Sequence, residues 1–474
     1  MTDGRSTIGN FSWAAAEGLS RQILAMIFFF WIARYVTPQD VGIFSLALSI
    51  NLMLFVILDE PATEALIQRP TVDETHWSTA FWTNLALACT VLLILAASGP
   101  TVAQLIGHPE VGLLFPVLAL TSVFGAMGNI HRAHLIRRQH FKLNAAVALV
   151  GQMVGGTVTV LMAVRGFGVW ALALNVVLSA ALTSTLYWFV SGWRPRLVWS
   201  RVAARDLVWI AAHVTTLRSV VLLRDQGTFL LVGLLSGSTV LGYFNLAFRI
   251  VRSVAQLLED VLNRVGLSVV SRVQQDRSEF AALTTRLTTI TALVGLPCIA
   301  GLFMVGPDAL VVFFGPQWGP SGPILQLMCV LAALLLVQHA LGLPVRSLGH
   351  QRAIVRLVAP LAALDLVIVA LLARHSIEAM LAVLIVRNIA VLPQYALLLR
   401  RHTTIAAMRL VRAALLPLGA TVFMAIAVAV VAMYFNASPT MKLAATVAAG
   451  AATYVVVLLS GIQVRRMAGW SWLP

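Results

Sequence analysis

Apolar residues recur along this chain in long unbroken runs, separated by short polar and basic stretches. A helix needs about 20 apolar residues to cross the hydrocarbon of a bilayer. Reading for runs of that length predicts about fourteen helices, at 11–33, 41–59, 79–98, 112–134, 143–164, 168–191, 206–235, 240–262, 286–306, 322–345, 353–373, 377–399, 409–434 and 442–463. Stretches such as Val422 to Val431 are apolar on every face. That suits a helix in lipid and not a barrel strand, which alternates apolar and polar positions. The expected fold class is therefore all-α integral membrane, and no soluble domain fits between the spans.

Composition agrees. The chain is 59% hydrophobic and 11% charged over 474 residues, with a mean hydropathy of +0.90. An ordinary soluble domain carries about 25% charged residues. The net charge of +15 would suggest nucleic acid in a soluble chain, but here the cations lie between apolar runs and read as topogenic charge. No P-loop, HExxH or GxSxG occurs, so no catalytic, metal or cofactor site is expected. Cys89, Cys298 and Cys329 all lie in apolar runs and suggest neither a disulfide framework nor a metal site. The first run carries Glu17 and Arg21 and lacks a small-residue cleavage site, so it reads as a retained helix.

Basic residues also set the orientation. With the N-terminus inside, 23 Lys and Arg fall in inside segments, and four, Arg34, Arg165, Arg374 and Lys442, fall outside. Both termini are thus expected in the cytoplasm.

The chain also repeats itself. Residues 42–50 (GIFSLALSI) and 242–250 (GYFNLAFRI) share Gly42/Gly242, Phe44/Phe244, Leu46/Leu246, Ala47/Ala247 and Ile50/Ile250. Gly99-Pro100 with Ile106-Gly107 is echoed by Gly306-Pro307 with Phe314-Gly315, and both pairs are expected in outside loops. Helices one to six and seven to twelve therefore read as two parallel copies, residues 1–200 and 201–402, with 403–474 holding two accessory helices. Parallel repeats are a transporter architecture with the substrate site between the halves.

A charge within a span is costly and should face a cavity or a partner. The first helix aligns Asn10, Trp13, Glu17 and Arg21 in one stripe. The seventh carries Arg218, Arg224 and Asp225, with Arg224 placed to pair with Asp225. In the eighth, Arg249, Arg252, Gln256, Glu259 and Asn263 form a continuous polar stripe. Arg387 with Asn388 lies in the twelfth helix, and Asp365 is a lone carboxylate in the eleventh. Each of these could instead be a structural helix–helix contact. Arginine predominates in the interior, through Arg21, Arg218, Arg224, Arg249, Arg252 and Arg387, which predicts a cationic cavity. Guanidinium forks bind phosphate oxygens bidentately, so the expected cargo is anionic. Glu17, Asp225, Gln256, Glu259 and Asp365 are the candidates for ion coupling or for polar lining. Pro297, Pro344, Pro360, Pro393 and Pro417 interrupt apolar runs and are expected to kink helices.

The segments ARYVTPQDVGIFSLAL (33–48), EALIQRPTVDETHWSTAFWTNL (64–85), HRAHLIRRQHFK (131–142), GFGVWAL (166–172), WRPRL (193–197), LGYFNLAFRI (241–250) and FFGPQWGPSGPILQL (313–327) resemble the polysaccharide-exporter branch of the multidrug/oligosaccharidyl-lipid/polysaccharide flippase superfamily. The resemblance spans roughly residues 5–400. It implies a Wzx-type flippase of the exopolysaccharide or colanic-acid kind, with a MATE-like fold of two six-helix lobes. The implied substrate is undecaprenyl-diphosphate-linked oligosaccharide, moved from the cytoplasmic to the periplasmic leaflet of a bacterial inner membrane. The implied partners are membrane lipids and the polymerase and chain-length proteins of a polysaccharide assembly system. A monomer is expected. A lipid II flippase, a drug or cation antiporter of the same fold, and a membrane-embedded polymerase are the rival readings.

Overall fold

The computed structural model describes residues 24–56, 63, 65–67, 69, 71–107, 109–214, 216–270, 276–403, 405–435 and 437–467. Residues 55–56, 105–106, 208–214, 216–218, 257–270, 277, 462 and 464–467 are described in backbone only. Among the described residues there is no strand. The helices are α1 (Leu24–Tyr35), α2 (Pro38–Val56), α3 (Glu74–Ile106), α4 (Pro109–Arg137), α5 (Phe141–Val164), α6 (Val169–Val190), α7 (Arg201–Val214), α8 (Thr216–Ser236), α9 (Ser238–Val270), α10 (Arg277–Phe314), α11 (Ser321–Ser347), α12 (Gln351–Leu372), α13 (Ile377–His402), α14 (Ala407–Tyr434) and α15 (Pro439–Met467). Eleven of the described helices are long and apolar enough to cross a membrane, and Leu24–Tyr35 and Pro38–Leu54 are shorter apolar helices. Together with the more polar α9 this is compatible with fourteen spans.

Local chemistry explains the helix ends. Asp73 accepts a hydrogen bond from the His76 backbone N–H at 2.9 Å to start α3, and Asp276 caps α10 through the N–H groups of Ser278 and Glu279. Helices α3 and α10 both stop at a glycine of positive φ, Gly107 at 74° and Gly315 at 103°. A side chain is disfavoured in that region, so the echoed glycines mark equivalent helix ends. Gly99-Pro100 and Gly306-Pro307 lie inside α3 and α10 and not in loops as expected. Neighbouring helices and local adjustment can accommodate the backbone bond that a proline removes in a membrane helix. The five prolines expected to interrupt helices, Pro297, Pro344, Pro360, Pro393 and Pro417, are likewise inside helices, as is Pro116. The seventh run, expected as one helix, is described as two stretches, α7 and α8. Buried hydroxyls bond back to their own helix, as Ser45 to Val41 O, Thr159 to Gly155 O and Thr421 to Pro417 O. Apolar surroundings offer them no water.

The chain packs as two units that divide between Gly242 and Tyr243. In the first, α3 packs on α4, α4 on α6, α5 on α6, and α8 along α2. In the second, α10 packs on α11, α11 on α13, and α12 on α13. The third helix of each sequence repeat thus lies on the fourth, the fourth on the sixth and the fifth on the sixth. Of the five identical pairs, Gly42 and Gly242, Phe44 and Phe244, Leu46 and Leu246, and Ala47 and Ala247 are buried in both copies, and Ile50 and Ile250 are half-buried. The accessory helices α14 and α15 pack on α10, where the Tyr454 hydroxyl donates to Leu293 O at 2.6 Å.

Candidate functional site

Helix α9 is the most amphipathic of the long described helices and is not among the eleven apolar spans. A helix with a sustained polar stripe needs water or polar partners along that face. The stripe begins as the spacing predicts. Arg249 and Gln256 are exposed and Arg252 is half-buried, while Leu246, Ala247, Val251 and Ser253 on the remaining faces are buried. Glu259 and Asn263 continue the helix, with side chains outside the described residues.

Helix α11 adds groups that the sequence reading missed. His339 lies within electrostatic reach of both Arg252 on α9 and Arg346 on its own helix. His339 and Arg346 are seven apart and so share a face, which is the signal that could have found them. Gln338, the preceding residue, is buried. Its amide donates to Asn388 Oδ1 at 2.9 Å and to Asn388 O at 3.3 Å. Arg387 donates to the same Asn388 Oδ1 at 3.2 Å and forms an ion pair with Asp365 of α12. Asp365 is therefore not the lone carboxylate that the sequence suggests. Gln338, Asp365, Arg387 and Asn388 form one polar network across α11, α12 and α13, and all four are largely buried. All four side chains thus find polar partners where lipid and apolar side chains would offer none.

In the first unit, Arg224 pairs with its neighbour Asp225 at 2.7 Å, both half-buried on α8, and the Thr228 hydroxyl donates to Arg224 O. Arg218 stands on the same helix, with its side chain outside the described residues, and Glu17 and Arg21 lie outside them altogether. Three of the quoted segments meet in this unit. Trp77 and Phe81 from α3, His131 and His134 from α4, and Trp193 from the strap that follows α6 interlock edge to face. His131 is fully buried, with Nδ1 2.7 Å from Ser191 Oγ. Trp193 donates to Glu74 at 3.1 Å, and Arg194 covers the Trp188 ring at 5.5 Å. Aromatic rings held this closely contribute beyond their buried area, so the cluster ties the strap to α3 and α4. Among the described residues, no group of His, Cys, Asp and Glu could hold a metal ion.

The fold is shared with two solved membrane proteins. It matches the lipid II flippase MurJ in an inward closed conformation with a TM-score of 0.77 and 12% identity, over 96% of this chain and 99% of that one. It matches an inward-facing MATE transporter of the MOP superfamily with a TM-score of 0.59 and 15% identity, over 83% and 95%. Residues 31–323 match the family model described as polysaccharide biosynthesis protein, and the chain belongs to that family. Among its relatives, the succinoglycan biosynthesis transport protein ExoT of Rhizobium meliloti (strain 1021) is 25% identical over 64% of this chain and 62% of its own length. The match thus spans less than two thirds of ExoT. The lipopolysaccharide biosynthesis protein WzxC of Escherichia coli (strain K12) is 22% identical over 72% and 70%.

Proposed function

We propose that this multi-pass membrane protein flips undecaprenyl-diphosphate-linked oligosaccharide repeat units from the cytoplasmic to the periplasmic leaflet, for assembly of an exopolysaccharide. The observation that supports this reading is the polar stripe of α9 with the cations Arg249 and Arg252 beside Gln256, in a chain of a polysaccharide biosynthesis family. A diphosphate offers several oxygens to such guanidinium groups, and a cationic drug would be repelled by them. Arg224 and Arg387 are each paired with a carboxylate; in this reading the guanidinium groups of Arg249 and Arg252 meet the headgroup, with Arg21 and Arg218 as further candidates.

In this reading, lobes 1–200 and 201–402 rock to expose the headgroup to either side while the polyprenyl tail stays in lipid, and the 403–474 helices border the tail. The protein makes and breaks no covalent bond. It sits as a monomer in a bacterial inner membrane with both termini in the cytoplasm. Drive comes from an ion gradient, with Glu17, Asp225 and Asp365 as coupling candidates, or from consumption of the flipped product by the polymerase.

The test is deletion of the gene in its host, with analysis of polymer and lipid-linked intermediates. Loss of polymer with complete repeat units stranded on the cytoplasmic leaflet is expected, and Arg252→Ala should reproduce it. Normal polymer with altered drug sensitivity would overturn the reading in favour of an antiporter. An intact polymer with failing peptidoglycan would point to lipid II.

A further inference from the structure

The first sequence repeat contains a reciprocal contact. Helix α2 begins at Pro38 and α9 at Ser238, and each carries a glycine at its fifth residue, Gly42 and Gly242. A Cβ placed on Gly42 would penetrate the carbonyl oxygen of Ser238 and lie 2.5 Å from its carbonyl carbon. A Cβ placed on Gly242 would penetrate the carbonyl oxygen of Pro38 and lie 2.6 Å from its carbonyl carbon. The opposing atoms are backbone in both directions, so no flexible side chain can yield. In place of each missing side chain a glycine Cα–H faces a carbonyl oxygen, a geometry that recurs where helices approach closely. The two halves of the contact are related by the 200-residue offset of the sequence repeat, and all four residues fall within the first packing unit. Leu46 and Leu241, both fully buried, pack beside the crossing against Gly233 of α8. Gly242, Arg249 and Gln256 are spaced by seven and so share one face of α9.

We infer that Gly42 and Gly242 are positioning residues of the transport cycle. Their backbone-to-backbone crossing closes the N-terminal ends of α2 and α9 against each other, and it must part and re-form in each turnover. The transport consequence rests on the flippase reading, and the crossing itself does not.

The experiment uses the full chain in proteoliposomes, with Cys89, Cys298 and Cys329 replaced by alanine and Ser45→Cys as reporter. Ser45 lies one turn after Gly42 on α2 and is buried. A membrane-impermeant maleimide should leave the reporter unlabelled in the parent and in a Gly301→Ala control, where an added Cβ meets nothing within 4 Å. Gly42→Ala and Gly242→Ala should each expose it, and the double variant should match either single one because both break the same crossing. Flipping of the oligosaccharide-linked lipid should fall about tenfold or more in each, since a closed state that cannot form is depopulated. A reporter equally protected in the folded alanine variants, or losses that add in the double variant, would overturn the inference. Should an alanine variant not fold, hydrogen exchange on the parent decides. Added undecaprenyl diphosphate should change the exchange of 38–46 and 238–246 together, and a change in one segment alone overturns the crossing. Reporter exposure as expected, with no flipping by the parent, would sink the functional reading and leave the crossing standing.

Discussion

Replacing Asp365 by asparagine should be among the most damaging conservative changes in the second unit. Asp365 and Arg387 join α12 to α13 with side chains 7% and 12% exposed. The substitution keeps the volume and an acceptor oxygen but removes the charge. Arg387 then stays buried as a cation, with the neutral Asn388 Oδ1 as an acceptor at 3.2 Å. Breaking a buried pair from one side costs about 3–5 kcal/mol, because the other charge is left uncompensated. Polar pairs in membrane proteins have shown smaller couplings, up to about 1.7 kcal/mol. The near-complete burial here places the expectation between the two ranges, at about 2–3 kcal/mol. At about 2–4 °C per kcal/mol for a unit of this size, Asp365→Asn should lower the melting temperature by about 4–12 °C. Arg387→Met should cost a similar amount, and the double variant should recover most of the loss because no charge remains to be desolvated. Thermal melting of the purified protein in detergent reads all three. Unchanged stability in Asp365→Asn, or additive losses in the double variant, would refute the argument that the pair is formed and buried.

Two further outcomes follow from the packing. Tyr454→Phe removes the hydroxyl that α15 donates to Leu293 O of α10 and should cost about 1 kcal/mol, seen as a small drop in melting temperature. Asp73 is held below the usual carboxylate range, first by the backbone N–H of His76 and then by its ring. Its capping contribution is therefore complete above the ordinary carboxylate pKa and is lost as pH falls through the lowered value, so Asp73→Ala should flatten the acid side of a stability–pH curve measured by the same melt.

The spans were legible because lipid leaves the backbone few options. A segment that must satisfy its own N–H and C=O groups among apolar neighbours reads as a helix from its length alone. Punctuation misled where that logic is relaxed. Gly99-Pro100 and Gly306-Pro307 read as loop signals, yet α3 and α10 continue through them. The Arg249–Gln256 stripe was legible because it lies on one helix and follows its period. His339 was not: a single histidine in an apolar run usually packs structurally, and its basic neighbourhood forms only when α11 meets α9.

The sequence by itself determined the solvent of this protein, its helices and their polar faces, because these depend on local composition and on periods of a few residues. The tertiary structure decided who meets whom. It paired Asp365 with Arg387 across 22 positions and gathered Trp77, His131 and Trp193 from three segments into one cluster. It also turned two echoed glycines into a contact between helices 200 residues apart. Such partners are chosen by the packing of whole helices, where the register and rotation of each depend on all its neighbours, and no local pattern carries that information.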